Sequence, residues 1–153
     1  MNNFQFINGS RELLDVVQPL WEKLNKHHVN NSNYFSNKFN NLRFEVRKNK
    51  FINDEKLQVK IDLIKDKDKE IYIGYCISTI NKDLFGEIDS LFVEKKYRKY
   101  GLGDKLMIMS LNWFDSNQVK TKIIGVAEGN ENVIEFYKKY GFYNRRVILE
   151  QIK

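Results

Sequence analysis

The sequence predicts an α/β fold, in which strands and helices alternate along a chain of 153 residues. Three observations support this class: an amphipathic helical pattern near the N-terminus, two alternating apolar segments joined by a charged turn, and a glycine loop between an apolar strand and a helix. The length fits one domain, residues 1–153, and a chain of about 150 residues buries roughly 70% of its unfolded surface. The predicted element order is βααβββαβαβ.

The first part of the chain predicts one strand and two helices. Residues 4–7 predict a short strand, and Asn8-Gly9-Ser10 favours a turn, with Ser10 as the cap of the first helix. The apolar face of that helix consists of Leu13, Val16, Val17, Leu20, Trp21 and Leu24. Pro19 falls inside this pattern and predicts either a kink or the first turn of a second piece. A second, aromatic-rich helical pattern consists of Phe35, Phe39 and Leu42, with Phe44 nearby.

The middle of the chain predicts a hairpin and a further strand. Residues 57–63 alternate between apolar and polar side chains, as a half-buried strand does. Residues 65–70 alternate in charge, which is typical of a solvated hairpin tip, and residues 71–80 form the returning strand. After a turn, residues 87–93 predict the next strand. The apolar positions there break strict alternation, which is compatible with a β-bulge.

The last part predicts a helix, a strand, a helix and a strand-rich end. The first of these helices is marked by Leu102, Leu106, Met109 and Trp113. Residues 123–127 predict the fifth strand. The second helix has one face formed by Val133, Phe136, Tyr137 and Tyr140. Asn130 is placed to cap its start and Gly141 to end it in the left-handed conformation, and residues 142–152 predict one or two closing strands.

The most informative local feature is the segment Arg98-Lys99-Tyr100-Gly101-Leu102-Gly103, between a strand and a helix. The first N–H groups of a helix have no intrahelical partner and carry partial positive charge, so this order predicts a site for phosphate or pyrophosphate. The segment does not match the Gly-x-Gly-x-x-Gly fingerprint of dinucleotide-binding proteins, because position 106 is leucine rather than glycine. The segment does not match the phosphate loop of nucleotide hydrolases either, because that loop ends in Gly-Lys-Ser/Thr and here Asp104 follows Gly103.

Two motifs together resemble the GNAT N-acetyltransferase family. Arg98, Gly101 and Gly103 match its acetyl-coenzyme A loop, Gln/Arg-x-x-Gly-x-Gly/Ala. The later motif Asn-x-x-Ala-x-x-x-Tyr-x-x-x-Gly-Phe is matched by Asn130, Tyr137, Gly141 and Phe142, with Val133 in place of the alanine. The resemblance covers residues 71–142 well. It implies a mixed, mostly antiparallel central sheet, helices on both faces and a splayed pair of parallel strands.

The resemblance also implies where acetyl-coenzyme A (acetyl-CoA) binds as co-substrate. It places the cofactor between the strands over residues 87–93 and 122–127. The residues expected to bind it are Leu91, Phe92, Val93, Arg98, Lys99, Tyr100, Gly101, Leu102, Gly103, Asp104, Asn130 and Tyr137. We expect the Asp104 side chain to turn away from the phosphates or to cap the loop.

The implied reaction is direct attack of a primary amine on the thioester. An alkylamine with a pKa near 10.4 is protonated at pH 7, so exposing the free amine costs about 4–5 kcal/mol. A nearby carboxylate lowers that cost, and Glu87 and Asp89 are the candidates, with Glu87 slightly favoured. Tyr137 is the candidate for protonating the departing thiolate. Exposed strand carboxylates and a core tyrosine remain the alternative interpretations.

The sequence leaves the identity of the amine acceptor open. In the family, the first two helices and the hairpin beyond them shape its pocket. Here that region is rich in Trp21, His27, His28, Tyr34, Phe35 and Phe39, which suit either cation–π contact or packing. A small-molecule amine, a peptide N-terminus, a lysine side chain and an aminoglycoside all remain candidates.

Composition limits the other classes. The net charge of +6 arises from 26 basic and 20 acidic residues that are interspersed, so we expect no nucleic-acid partner. The compact basic cluster consists of Lys95, Lys96, Arg98, Lys99 and Lys105, and it flanks the proposed phosphate loop. No apolar stretch or secretory signal predicts a membrane role, and the single cysteine and the adjacent histidines predict neither a disulfide nor a metal site.

These observations lead us to expect a cytoplasmic N-acetyltransferase that needs no metal, as a monomer or homodimer. Cys76 is expected to be a small buried apolar residue. Two alternatives remain: a non-catalytic module that binds acyl-CoA as a sensor or scaffold, and a small basic nucleic-acid-binding domain.

Overall fold

The computed structural model describes residues 2–153, and its centre is a five-stranded sheet in the order β1-β2-β3-β4-β5. The strands are β1 (Phe4–Gly9), β2 (Gln58–Asp66), β3 (Ile71–Ile80), β4 (Phe85–Val93) and β5 (Thr121–Ile124). The first four pair antiparallel, whereas β5 runs parallel to β4. The predicted mixed, mostly antiparallel sheet is confirmed.

The two parallel strands separate after a short paired stretch. Their register runs from Phe85 opposite Thr121 to Ile88 opposite Ile124, where β5 ends. β4 continues to Val93, so its second half has β3 on one side and a gap on the other. The splayed pair of parallel strands is therefore present.

A β-bulge lies where the two strands begin to part. Ile77 of β3 lies opposite Ser90, but the next residue of β3, Ser78, lies opposite Ile88, so Asp89 is the extra residue. A bulge turns the following side chains to the other face of the sheet. Ile88 accordingly packs on one face, and Phe92 packs on the opposite face.

Helices cover both faces of the sheet. They are α1 (Leu14–Asn31), α2 (Ser36–Asn40), α3 (Phe44–Asn53), α4 (Leu102–Ser116) and α5 (Ile134–Lys138). The core on the α1 and α3 face includes Leu14, Val17, Leu20, Phe44, Phe51, Ile61, Leu63 and Tyr75. The core on the α4 face includes Ile64, Ile73, Ile80, Leu102, Leu106, Met107 and Phe114. Within residues 2–153, none of the helices is long and apolar enough to cross a bilayer.

Several local expectations need adjustment. Pro19 lies inside α1, which runs without interruption. The fifth strand occupies Thr121–Ile124 rather than 123–127, because the segment after Ile124 leaves the sheet to line the gap. Ser10 does not cap the first helix with its side chain; its hydroxyl donates to the Val59 carbonyl instead.

The predicted closing strands over residues 142–152 are wrong. Residues 142–152 form no strand, and Val147, Ile148 and Leu149 are 76%, 75% and 92% exposed. The β-branched side chains that suggested a strand favour a pleated, half-buried surface only when a neighbouring strand supplies backbone partners. Within the described chain, the sheet offers this segment no such pairing.

Candidate functional site

A cavity of about 210 Å³ lies in the gap between β4 and β5. Its wall brings together four residues that the sequence proposed for the site: Asp89, Leu91, Asn130 and Tyr137. The other lining residues include Trp21, His28, Phe39, Arg47 and residues 125–127. A wider groove of about 520 Å³, between α1 and the segment joining α2 to α3, shares part of this wall. The cavity and the groove share Trp21, Asn25 and Leu42, so they adjoin, and together they make up the depression on this side of the molecule.

The second half of β4 presents free backbone groups to the gap. The N–H of Glu94 donates to the Ile73 carbonyl at 2.8 Å, and the hydrogen bonds of an antiparallel ladder alternate along the strand. Phe92 therefore directs its backbone groups toward β3, whereas Leu91 and Val93 direct theirs toward the gap. The Val93 carbonyl accepts from Arg98 Nε at 2.8 Å. The backbone groups left free on the gap side are therefore the N–H and C=O of Leu91 and the N–H of Val93.

The glycine loop has the predicted form. Residues Lys95–Tyr100 make a 3₁₀ helix, and Gly101 then adopts φ 69° and ψ 21° at the start of α4. That left-handed conformation is strained for residues with a Cβ. A Cβ at Gly101 would meet no protein atom within 4 Å, so the space in front of the helix terminus is open. Leu102 is buried, and the N–H groups of the first turn of α4 have no intrahelical partner.

The Asp104 side chain turns away from the loop, which is the first of the two orientations expected from the sequence. Its carboxylate accepts from Lys139 Nζ at 2.8 Å and from the Tyr140 hydroxyl. These hydrogen bonds, Lys139 first, hold the pKa of Asp104 below its ordinary value. The α4 terminus therefore keeps its positive character for an incoming anion, while Asp104 fastens α4 to the residues that follow α5.

The cationic side chains around the loop are exposed. Lys95, Lys96, Arg98, Lys99 and Lys105 all lie on the surface. Arg98 rests over the Phe92 ring at 5.7 Å and Lys99 over the Tyr100 ring at 5.4 Å. The ring contacts position these charges beside the helix terminus, where they add to its attraction for phosphate.

Glu87 and Asp89 occupy different positions relative to the cavity. Asp89 lines it and accepts from Arg47 Nη2 at 2.9 Å, whereas Glu87 lies outside its wall. Burial, and secondarily the charge of Asp89, raise the pKa of Glu87 above its ordinary 4.5, although Lys50 and Arg47 oppose this. Glu87 is thus a half-buried carboxyl that binds a proton more readily than a surface glutamate.

Tyr137 projects from α5 into the same cavity. Burial, and secondarily Cys76, raise its pKa to about 12, so the phenol stays protonated at neutral pH. Cys76 itself is buried as expected, with its pKa raised to about 11 by burial. Asn130 does not cap the helix start; its side-chain oxygen faces His27 Nε2 at 3.3 Å.

The helices contribute a wall that the sequence described only in part. Of the six aromatic residues expected on the acceptor side, Trp21, His28 and Phe39 line the cavity. The other three do not: His27, Phe35 and Tyr34, which is 69% exposed. Arg47 was not predicted. The sequence feature that indicates Arg47 is its position at i+3 from Phe44, on the buried face of α3, where a charged residue is unusual.

A loop contact lies next to the cavity wall, between Ala127 and Asn130 along the chain. The Glu128 carboxylate accepts from the Ser32 hydroxyl and from two backbone N–H groups of residues 33 and 34. Gly129 has φ 92°, and a Cβ there would lie 2.3 Å from the Asn31 carbonyl oxygen. This contact holds the end of α1 against the segment that follows β5.

Gly129→Ala is expected to lower the free energy of unfolding by at least about 2 kcal/mol, because left-handed strain and the overlap with Asn31 add together. Urea denaturation of both proteins measures the change. Gly125→Ala is the matched control, since a Cβ at Gly125 meets nothing within 4 Å. Equal stability of the two variants would show that the contact at Gly129 does not hold the loops together.

The described residues show no built metal centre. Within residues 2–153, no three histidine, cysteine, aspartate or glutamate side chains converge closely enough to hold an ion.

Comparison with known sequences points to one enzyme family. The sequence model of the Acetyltransferase (GNAT) family matches residues 23–142. An uncharacterised N-acetyltransferase of Methanocaldococcus jannaschii is 31% identical over 72 residues, which is 47% of this chain. The match spans 32% of that protein, so this chain covers about a third of its length.

Solved structures share the whole fold. A GCN5-related N-acetyltransferase from Ralstonia eutropha has a TM-score of 0.75 at 11% identity, over 98% of this chain and 99% of its own. The aminoglycoside N-acetyltransferase AAC(6′)-Iy, bound to a bisubstrate analogue of CoA and acetylneamine, has a TM-score of 0.66 at 12% identity, over 99% of both chains. At sequence identities of 11% and 12%, these comparisons show that the fold is shared.

Proposed function

Because this chain belongs to the GNAT acetyltransferase family, we propose that it moves an acetyl group from acetyl-CoA to a primary amine. The observation that carries the proposal is the meeting of the β4 edge and Tyr137 in the wall of one cavity, with the α4 terminus at Gly101 following β4 along the chain, outside that wall. The β4 edge suits the pantetheine amides, the α4 terminus suits the pyrophosphate, and Tyr137 suits the thioester end. We place the activity in the cytoplasm, as a monomer or homodimer.

Acetyl-CoA would lie along the gap. The N–H and C=O of Leu91 and the N–H of Val93 offer the pantetheine amides the partners that a neighbouring strand would offer. The N–H groups of residues 101–104 would bind the pyrophosphate, and exposed Arg98 and Lys99 would balance its charge. Tyr100, Leu102 and Gly103 contribute backbone, Phe92 supports Arg98 by its ring, and Asn130 lies beside the thioester end.

The chemistry balances with groups of this chain. A carboxylate removes a proton from the ammonium, directly or through water, and the nitrogen attacks the thioester carbonyl. The C–N bond forms, the C–S bond breaks, and the nitrogen loses its second proton to solvent water. Tyr137 donates its phenolic proton to the departing thiolate, and the proton held by the carboxylate restores it through solvent.

Glu87 is the proposed base. Asp89, two residues further along β4, lies in the cavity wall, whereas Glu87 lies outside it. A base must lose its proton at the working pH yet bind one readily, and the raised pKa of Glu87 suits that role. Asp89 is committed to an ion pair with Arg47 at 2.9 Å, so its carboxylate is already occupied by a cation of the chain. Because Glu87 lies outside the cavity wall, we expect water to carry the proton to it.

Glu87→Gln is expected to lower kcat at neutral pH by about 100-fold and to remove the acidic limb of the kcat–pH profile. In the parent protein that limb lies above pH 4.5, because the folded pKa of Glu87 is raised and protonation inactivates it. Steady-state kinetics at saturating acceptor measure the profile. Asp89→Asn should retain the limb and move it to lower pH, since the Asp89 charge raises the Glu87 pKa. Loss of the limb in Asp89→Asn alone would assign the base to Asp89.

The reaction type is tested by the fate of the acetyl group. With acetyl-CoA labelled in the acetyl carbon, the proposal requires the label to be recovered on the nitrogen of the amine. Recovery as free acetate, at a rate independent of added amine, would identify a thioesterase instead.

A further inference from the structure

The acceptor side of the cavity contains two buried polar atoms without a partner. Within residues 2–153, Arg47 Nε and His28 Nδ1 make no hydrogen bond although both are buried. Buried polar groups in folded proteins are nearly always paired, so an orphan in a cavity wall calls for a ligand as its explanation. Both residues line the gap beside the proposed thioester position.

Arg47 has more donors than its protein partner uses. Its Nη2 donates to Asp89 Oδ2 at 2.9 Å, whereas Nε on the same guanidinium plane has no acceptor. A guanidinium has five N–H groups in a fixed fork, and a carboxylate is the acceptor that this geometry binds best. The Arg47 side chain is 37% exposed, so a small rotation of its guanidinium can present the unused N–H groups to a second carboxylate while Asp89 stays bound.

The remaining charges of the depression favour the same chemistry. Asp89 is neutralised by Arg47, and burial, followed by the charge of His27, lowers the pKa of His28 so that its ring is neutral. The outer groove is lined by the cations Lys26 and Arg43 and by one carboxylate, Glu22. Such a surface attracts an anionic group and disfavours an acceptor with several positive charges.

From these contacts we infer that the acceptor is an amino acid, an amine with a carboxylate a few bonds away. The inference rests on the proposed acetyl transfer. Because Arg47 and Asp89 are in direct contact, a carboxylate on Arg47 Nε and an ammonium near Asp89 lie side by side. The cavity of about 210 Å³ accommodates the reacting end, and the groove of about 520 Å³ accommodates the side chain.

The inference is tested with matched acceptor pairs. Each pair consists of an amino acid and the amine left after removal of its carboxyl group: alanine with ethylamine, phenylalanine with phenethylamine, lysine with cadaverine. kcat/KM is measured by thiol release and expressed per concentration of free amine, which removes the difference in amine pKa. We expect at least one amino acid to exceed its partner amine by about 10-fold or more, the effect of one charge-assisted hydrogen bond.

Arg47→Gln should reduce that preference to within about threefold. Lys48→Gln is the matched control, because it removes the same charge from the same helix but from a side chain that pairs with Asp15 at 2.6 Å. It should retain the preference. If Arg47 only holds Asp89 in place, Arg47→Gln will slow both members of each pair equally and leave their ratio unchanged, which would overturn the inference.

A second readout separates this inference from the proposed function. The Arg47 Nε–H resonance, observed by ¹⁵N NMR in the presence of CoA, should shift on addition of the preferred amino acid and not on addition of its partner amine. Turnover of simple amines with neither a preference nor a shift would overturn the inference and leave acetyl transfer standing. A specific shift without turnover of any amine would support the pocket and overturn the enzymatic role.

Discussion

Gly101→Val is expected to abolish measurable acetyl-CoA binding while the protein stays folded. Gly101 has φ 69°, and the space that a Cβ would enter contains no protein atom within 4 Å. A valine there would project its methyl groups into the region proposed for the pyrophosphate. Loss of two hydrogen bonds to a charged group, at about 1.5–3 kcal/mol each, weakens binding by at least about 100-fold. Calorimetric titration measures the affinity.

The matched control is Gly141→Val, which introduces the same side chain at another left-handed glycine. Gly141 has φ 86°, and a Cβ there would also meet no atom within 4 Å, but it lies after α5 rather than at the loop. Both variants should lose about 1–2 kcal/mol of stability from backbone strain. Only Gly101→Val should lose the ligand. Undiminished affinity in Gly101→Val would remove the loop from the proposed site.

Tyr137→Phe is expected to lower kcat by about 100-fold while the dissociation constant for acetyl-CoA changes less than about threefold. The substitution keeps the ring that packs against the core and removes only the hydroxyl. Because burial raises the Tyr137 pKa to about 12, that hydroxyl carries its proton throughout the accessible pH range and can donate it to the thiolate. Pre-steady-state and steady-state thiol release, with calorimetry for binding, separate the two effects.

Tyr140→Phe provides the control on the same side of the molecule. Its hydroxyl donates to Asp104 and fastens the residues that follow α5 to α4, so its loss should reduce stability and leave kcat nearly unchanged. If Tyr137→Phe behaves as Tyr140→Phe does, Tyr137 is a packing residue and the thiolate obtains its proton from elsewhere.

The parts of this fold that the sequence predicted are those set by local pattern. The hairpin of β2 and β3 follows from period-two alternation around a charged tip, and the strand over residues 71–80 has the predicted bounds. The loop at Gly101 follows from glycine chemistry within a few residues. The bulge at Asp89 was visible because one extra residue changes which side chains face each side.

The features that were missed depend on partners distant in sequence. Arg47 enters the site only because α3 packs over β4, and nothing near residue 47 indicates Asp89 as its partner. Asn130 was expected to cap a helix, but its side chain contacts His27 across the loops. The end of the chain shows the opposite error: strand propensity at Val147 and Ile148 was present without a strand to pair with.

The central claim, acetyl transfer to an amine at the gap between β4 and β5, is tested most directly by amine-dependent thiol release from acetyl-CoA. The predicted result is release that rises with amine concentration, exceeds the hydrolysis rate without amine, and is lost in Gly101→Val but retained in Gly141→Val. Acetyl-CoA binding without release for any amine would contradict the claim and favour an acyl-CoA sensor or scaffold. Absence of binding would contradict the assignment of the gap itself.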